Sequence, residues 1–154
     1  MEKKQILGWV LLVFITAVVS IAMFDEFTKD AEKAEIGEEI IQDDFNYKVN
    51  KFEIKNDNDR KDIVVSIEAK SNNDETVSNV FSNNFILKID DKTFKPDDIK
   101  SRSIVNGKVN YLYTNQINPE QTVTCLLVFN VSAKQSESKK IDLLINDNVV
   151  VNLK

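Results

Sequence analysis

Along most of the chain, apolar residues recur at every second position. Phe45, Tyr47 and Val49 alternate with polar neighbours, and so do Ile63, Val65, Ile67 and Ala69. The pattern returns at Phe85, Leu87 and Ile89, at Val109, Tyr111 and Tyr113, and over Val123, Cys125, Leu127, Phe129 and Val131. It closes with Ile141, Leu143 and Ile145, then Val149, Val151 and Leu153. Side chains of a strand point alternately to its two faces, so a period of two describes strands with one buried face. Such strands, starting about every 10–15 residues, predict an all-β fold, an antiparallel sandwich. Its core is expected to take Ile63, Val65, Ile67, Phe85, Leu87, Cys125, Leu127 and Phe129.

The breaks between these runs agree. Asp91-Lys92, between Ile89 and Phe94, and Asp147-Asn148, between Ile145 and Val149, have the spacing of tight hairpin connections. Asn106-Gly107 is a further turn signal, and Pro96-Asp97-Asp98 ends the strand that starts near Thr93. Asn56-Asp57-Asn58-Asp59 and Asn72-Asn73-Asp74 are polar stretches between strands. One run changes parity: after Phe45, Tyr47 and Val49 the apolar residues move to Phe52 and Ile54. A flat strand would put the two sets on opposite faces. A bulge or a crossing between sheets at Asn50-Lys51 restores the inward face, and Val49, Phe52 and Ile54 are then expected to be largely buried.

Upstream of the strands the period of two disappears. Ile6 to Phe24 is a run of 19 residues without a charge, in which only Thr16 and Ser20 are polar. As a helix it would span about 28 Å, close to the hydrocarbon thickness of a bilayer. A helix packed on a globular domain of this size keeps a polar face, and this run has none, which argues against a core helix. The prediction is a transmembrane signal anchor over 6–24, with Ile6, Trp9, Leu12, Phe14, Val18 and Phe24 in or at the edges of the membrane and residues 1–5 as a cytoplasmic tail. Lys3 and Lys4 before the run and Lys29 and Lys33 after it nearly balance. The free α-amino group beside Lys3 tips the orientation towards an extracellular C-terminal domain. The alternative is cleavage after the small-residue pattern Ser20-Ile21-Ala22, which would release a secreted soluble protein; the apolar run is longer than a signal peptide needs.

Asp25 to Ile36 is rich in helix formers and stops at Gly37, which predicts a helical stalk or linker over 25–37 with Phe27, Ala31 and Ala34 near one face. The sandwich is then expected to occupy 38–154.

The strands and turns also resemble a known family. Ile63-Val64-Val65-Ser66-Ile67-Glu68-Ala69-Lys70-Ser71-Asn72-Asn73 is an alternating strand running into an Asn-rich turn. Phe85-Ile86-Leu87-Lys88-Ile89-Asp90-Asp91-Lys92-Thr93-Phe94-Lys95-Pro96 is similar to an F-x-L … G-x-x-Y-x-P hairpin, and Ile117-Asn118-Pro119-Glu120-Gln121-Thr122-Val123 leading to Leu127-Val128-Phe129-Asn130-Val131 resembles L-x-P-G-E-x-V … L-V-F-x-V. In this order they look like the telokin-like, immunoglobulin-fold extracellular domains of bacteria, over about Ile36 to Leu153. The resemblance implies an immunoglobulin-like sandwich, often carried behind a membrane anchor, with no shared catalytic residues. Lys92 and Glu120 stand where the pattern has turn glycines, and Ser132 where a proline is common.

Composition narrows the chemistry. The chain of 154 residues carries a net charge of -5, and about -6 once the N-terminal segment is set aside. An acidic domain with scattered lysines lacks the basic stripe that a phosphate backbone needs, so nucleic acid is not expected as a partner. There is no histidine, hence neither the usual neutral-pH base nor the commonest metal ligand. The single cysteine, Cys125, forms no intrachain disulfide and falls on the apolar side of its strand. Asp57, Asp59 and Asp62 are weak candidates for a Ca²⁺ site, since their spacing lacks a calcium loop's glycine and terminal glutamate, and Asp97-Asp98 is another weak candidate; a solvated turn is the expected reading of both. Tyr111 and Tyr113 share a strand face and offer a candidate recognition patch, although core packing of at least one of them is the expected reading. Asn130-Val131-Ser132 matches a glycosylation sequon but lies inside a strand. The expectation is a membrane-anchored extracellular binding or structural module of the cell envelope, without catalysis or cofactor. Its partners are the membrane and an extracellular protein or surface polymer.

Overall fold

The computed structural model describes residues 31–42, 44–78, 81, 84–112 and 116–154. The strands are β1 (Glu32–Ala34), β2 (Glu39–Ile41), β3 (Phe45–Asp57), β4 (Arg60–Ser71), β5 (Val77–Ser78), β6 (Phe85–Ile89), β7 (Lys92–Phe94), β8 (Arg102–Val105), β9 (Lys108–Tyr111), β10 (Gln116–Ile117), β11 (Thr122–Ser132), β12 (Ile141–Ile145) and β13 (Val149–Asn152). They form a six-stranded sheet in the order β2-β3-β4-β11-β8-β9, a five-stranded sheet in the order β1-β13-β12-β6-β7, and a ribbon of β10 with β5. The fold is an all-β sandwich, and Glu32 to Lys154 make up one compact unit.

The alternation explains the layers. In the larger sheet Val49 stands opposite Ile67, and Ile67 opposite Cys125. In the smaller one Leu87 stands opposite Leu143, and Leu143 opposite Val151. These inward rows merge into a single core, and all eight residues expected there are buried. Four aromatic rings (Phe45, Tyr47, Phe81 and Phe85) pack in tilted and edge-on pairs 5.5 to 6.0 Å apart. Burial raises the Tyr47 phenol pKa, and its oxygen accepts a hydrogen bond from Asn84 Nδ2 at 3.3 Å.

The parity break in β3 is a bulge. The register of β3 on β4 shifts between Val49 and Lys51, leaving Asn50 as the extra residue. Phe52 then faces Val65, and Ile54 faces Ile63, on the inward side. Val49 is buried and Phe52 is half-buried against the core, but Ile54 is 39% exposed. The bulge restores the face, and burial falls off sideways along the row: Phe129 and Ile63 are fully buried, whereas Ile54 lies in the part of β3 that β2 does not pair, at the edge of the sheet.

Left-handed residues make the turns. Asn106 and Gly107 (φ 50° and 76°) close β8–β9, and Asn146 and Asp147 (φ 51° and 59°) close β12–β13. Asp90 (φ 51°) takes this role before β7, so Lys92 needs no glycine there. Glu120 does adopt φ 58° at the position where the resemblance expects glycine, and its carboxylate pairs with Lys70 at 2.5 Å. Ser132, in place of a proline, caps the short helix Ala133–Ser136, and Gln135 completes a capping box.

The helical stalk needs correction within the described residues. Glu32–Ala34 is a strand, parallel to Val149–Val151, so the sandwich starts at Glu32 and not at residue 38. Helix propensity is a weak prior, and a ladder that also buries Ala34 outweighs it. Gly37 (φ 92°) ends the segment as a turn. The anchor prediction over residues 6–24, the first residues of the stalk and Tyr113 lie outside the described residues. Among those described, no helix is long and apolar enough to cross a membrane.

Candidate functional site

The outer face of the six-stranded sheet carries most of the chemistry singled out in the sequence. Cross-strand neighbours there are Lys55 and Asp62 with Asn130, Glu53 and Val64 with Val128, Ser66 and Leu126 with Arg102, and Thr124 and Ile104 with Val109. The face runs from charged at the β3–β4 end to apolar at β8–β9.

At the charged end Asp57 and Asp62 come together and Asp59 does not, because Asn58-Asp59 is the hairpin turn between β3 and β4. The cation between the two carboxylates is Lys100. Its Nζ lies 2.7 Å from Asp57 Oδ2 and 2.8 Å from Asp62 Oδ2. Asn130 Nδ2 donates to Asp57 Oδ2 (3.1 Å) and Asp62 Oδ1 (2.9 Å), and an Arg60 guanidinium N–H donates to the Asn130 carbonyl (3.0 Å). Lys100 is delivered by a turn that Asp97 caps: Asp97 Oδ1 accepts the N–H groups of Ile99 and Lys100, both at 2.9 Å. The turn is fastened to β11 from Asp97 N–H to the Val128 carbonyl (2.7 Å) and from Val128 N–H to Ser101 Oγ (3.0 Å). Asp97 is therefore a turn former, and Asp98 points to solvent.

The electrostatics are those of a clamp. Partial burial pushes the Asp62 carboxyl pKa up, but the hydrogen bonds from Lys100 and Asn130 outweigh it and hold the group below the ordinary carboxylate value. The hydrogen bonds to Asp57 and Asp62 hold the Lys100 ammonium well above the ordinary lysine value. A lysine kept charged has no lone pair for nucleophilic attack. Among the described residues no group of three or more His, Cys, Asp or Glu is placed to hold a metal ion. The Asn130 amide of the sequon is committed to this cluster.

At the apolar end Ile99 is 76% exposed, Val109 63% and Tyr111 56%. Arg102 organises them. Its guanidinium lies 4.6 Å from the Tyr111 ring centroid and donates to the carbonyls of Ile99 and Ser101, so it joins the Asp97 turn to β9. Half-buried Ile104, Leu126 and Val128 extend the surface inward. Tyr111 was legible as a candidate from its strand. Ile99 and Arg102 were not, because a loop and a neighbouring strand bring them there.

The other candidates resolve differently. Cys125 is fully buried in the core, and burial pushes its thiol pKa up to about 12. A shallow cleft of about 510 Å³ lies between the β6–β7 turn and the short helix, lined among others by Asp90, Asp91, Lys92, Lys134 and Glu137. Its charges are mixed in sign, and Ser138 Oγ already donates to Asp90 Oδ1 at 2.9 Å.

Comparison with solved structures identifies the fold. The chain is similar to an uncharacterized β-sandwich protein from Clostridium difficile 630 (TM-score 0.64, 16% identity, covering 82% of this chain and 96% of that one). It is also similar to a conserved hypothetical protein from Bacillus anthracis (TM-score 0.61, 16% identity, 82% and 100% covered). A third likeness is the yjhA protein of Bacillus subtilis (TM-score 0.51, 18% identity, 78% and 98% covered). At these identities the likeness concerns the β-sandwich alone. No protein-family model and no curated protein sequence matches the chain.

Proposed function

We propose that this chain is a non-catalytic binding module of immunoglobulin-like topology, held outside the cell by the apolar segment Ile6–Phe24. We further propose that it engages an extracellular protein or surface polymer through the Ile99–Val109–Tyr111 surface. The observation that carries the binding role is that surface. Val109 and Tyr111 are exposed on one face of β9, and the Tyr111 ring is already held by a guanidinium that also reaches the carbonyl of exposed Ile99, so the surface loses little freedom on binding. The topology is supported by strand order. The series β3-β4-β11-β8 and β13-β12-β6-β7 follow the A-B-E-D and G-F-C-C′ orders of immunoglobulin-like sandwiches.

Two experiments test this reading. Intact cells expressing the chain with a photo-reactive residue at position 111 are expected to yield a cross-linked adduct, whereas the same residue at 53, on the charged end of the face, yields none. Equal labelling at both positions would remove the surface from the proposal. For the anchor, the protein is expected to resist carbonate extraction and to be digested by protease added to spheroplasts. Recovery from the culture medium lacking about the first 22 residues would instead identify the secreted form.

A further inference from the structure

The first described strand lies against the last one, and the two run parallel: Glu32, Lys33 and Ala34 stand opposite Val149, Val150 and Val151. The Glu32 N–H donates to the Asn148 carbonyl at 2.9 Å. In a parallel ladder every second residue of a strand turns its backbone groups to the same neighbour. Glu32 and Ala34 therefore face β13, and the Lys33 backbone faces the open edge. The Ala34 side chain is buried beneath the ladder. Both partners are fixed elsewhere. β13 is paired along its other side with β12, and Leu153 N–H donates to the Ile141 carbonyl (2.9 Å). Just after β1, Gly37 N–H donates to the Val49 carbonyl of the larger sheet at 2.8 Å.

This arrangement decides how the sandwich responds to a pull. The chain enters β1 at Glu32 and leaves β13 at Asn152, and in a parallel pair those points are at opposite ends of the ladder. Tension between them slides the strands lengthwise, so the ladder bonds and the Ala34 contact are loaded together. An antiparallel terminal pair would have both points at one end and would open one bond at a time. We propose that the β1–β13 ladder is a force-bearing clasp, which keeps the sandwich folded when the N-terminal segment is pulled against a grip on the rest of the domain. A grip anywhere closer than Glu32 to the Asn152 end of β13 loads the clasp in the same sense. This role rests on the anchored reading above, because a tethered binding module is the one that comes under tension.

The test is a single-molecule pull on the full chain in detergent, with one handle at the N-terminus. The second handle is placed either at the C-terminus or on an Asn148→Cys substitution; Asn148 is exposed, and the buried Cys125 does not compete for the handle. The C-terminal attachment shears the ladder, and the Asn148 attachment peels it from one end. The expected unfolding force is higher in shear by about twofold or more, since forced unfolding follows the barrier that the loaded bonds create. Ala34→Pro, which removes an N–H that faces β13, narrows that gap, and Lys33→Ala leaves it unchanged. Equal forces in the two geometries, or a gap that survives Ala34→Pro, would overturn the clasp. Should Ala34→Pro fail to fold, the comparison of the two attachments still decides. Cell fractionation tests the anchor independently, so the two failures cannot be confused.

Discussion

The two ends of the outer sheet face are built from neighbouring strands of the same register, yet they finish differently. At the β3–β4 end the polar groups answer one another: Lys51 and Lys55 pair with Glu53, and Lys100 and Asn130 both donate to Asp57 and Asp62. At the β8–β9 end Arg102 is the organising charge, and Ile99, Val109 and Tyr111 stay in contact with water. A partner at the charged end would first have to displace the bonds of the Asp57–Asp62–Lys100 cluster, whereas at the apolar end the exposed faces of Val109 and Tyr111 give up water. A cluster of carboxylates drew attention in the sequence, but once its cation proves to be a lysine it is a fastening. The face left unfinished is where a partner gains most.

The strongest way to break the comparison is from beneath, where both ends rest on one core. Cys125→Asp places an unpaired charge in that core and is expected to destabilise by about 3–5 kcal/mol, measured by urea unfolding. In the parent protein the thiol, with its pKa near 12, should react with a polar thiol reagent slowly until denaturant is added.

Next in size is the fastening. Asp62→Ala removes a carboxylate that accepts from Lys100 and Asn130 and is expected to lower stability by about 1–2 kcal/mol. Its pH dependence sharpens the point. The folded pKa of Asp62 is depressed, so its contribution is present above the ordinary value of 3.8 and is lost as pH falls through the lower folded value. The difference between the parent and Asp62→Asn should therefore hold at neutral pH and shrink below pH 3.8; a difference that grows with acid would contradict the clamp. Lys100 contributes in the opposite sense, fully below its ordinary value of 10.5 and lost only as pH rises through its raised folded value.

A smaller change acts on the apolar end. Gly107→Ala meets open space, but φ 76° strains any side chain there, so a loss of about 1 kcal/mol is expected, with the β8–β9 hairpin loosened. Smallest of all in stability is Val109→Ser, expected to stay within about 0.5 kcal/mol, while Tyr111→Ser also gives up the Arg102 contact and is expected to cost about 1 kcal/mol. Their effect should show in binding, as loss of the cross-linked adduct. A large loss of stability from Tyr111→Ser would mean that the ring is a structural strut and not a contact.

The alternation along the chain determined much of this on its own. Burial of Ile63, Val65, Ile67, Phe85, Leu87, Cys125, Leu127 and Phe129 follows from a period of two, because a strand with one face towards a core has no other way to dispose of those side chains. The bulge at Asn50 followed from the same rule, applied to a parity break. The hairpin at Asn106-Gly107 could be read because few residues tolerate positive φ. Tertiary structure decided what local pattern does not encode. Glu32–Ala34 reads as helix by propensity, and only the presence of β13 beside it makes a strand the better state. Ile54 has the right parity, but its place at the sheet edge, in the part of β3 that β2 does not pair, depends on which strands come together. Lys100 lies 38 residues from Asp62 and Asn130 a further 30 along the chain, so no spacing rule relates them. The meeting of Ile99, Arg102 and Tyr111 likewise depends on a turn and two strands arriving together. Local chemistry sets which face of a strand is apolar, and the register between distant strands sets which side chains become neighbours.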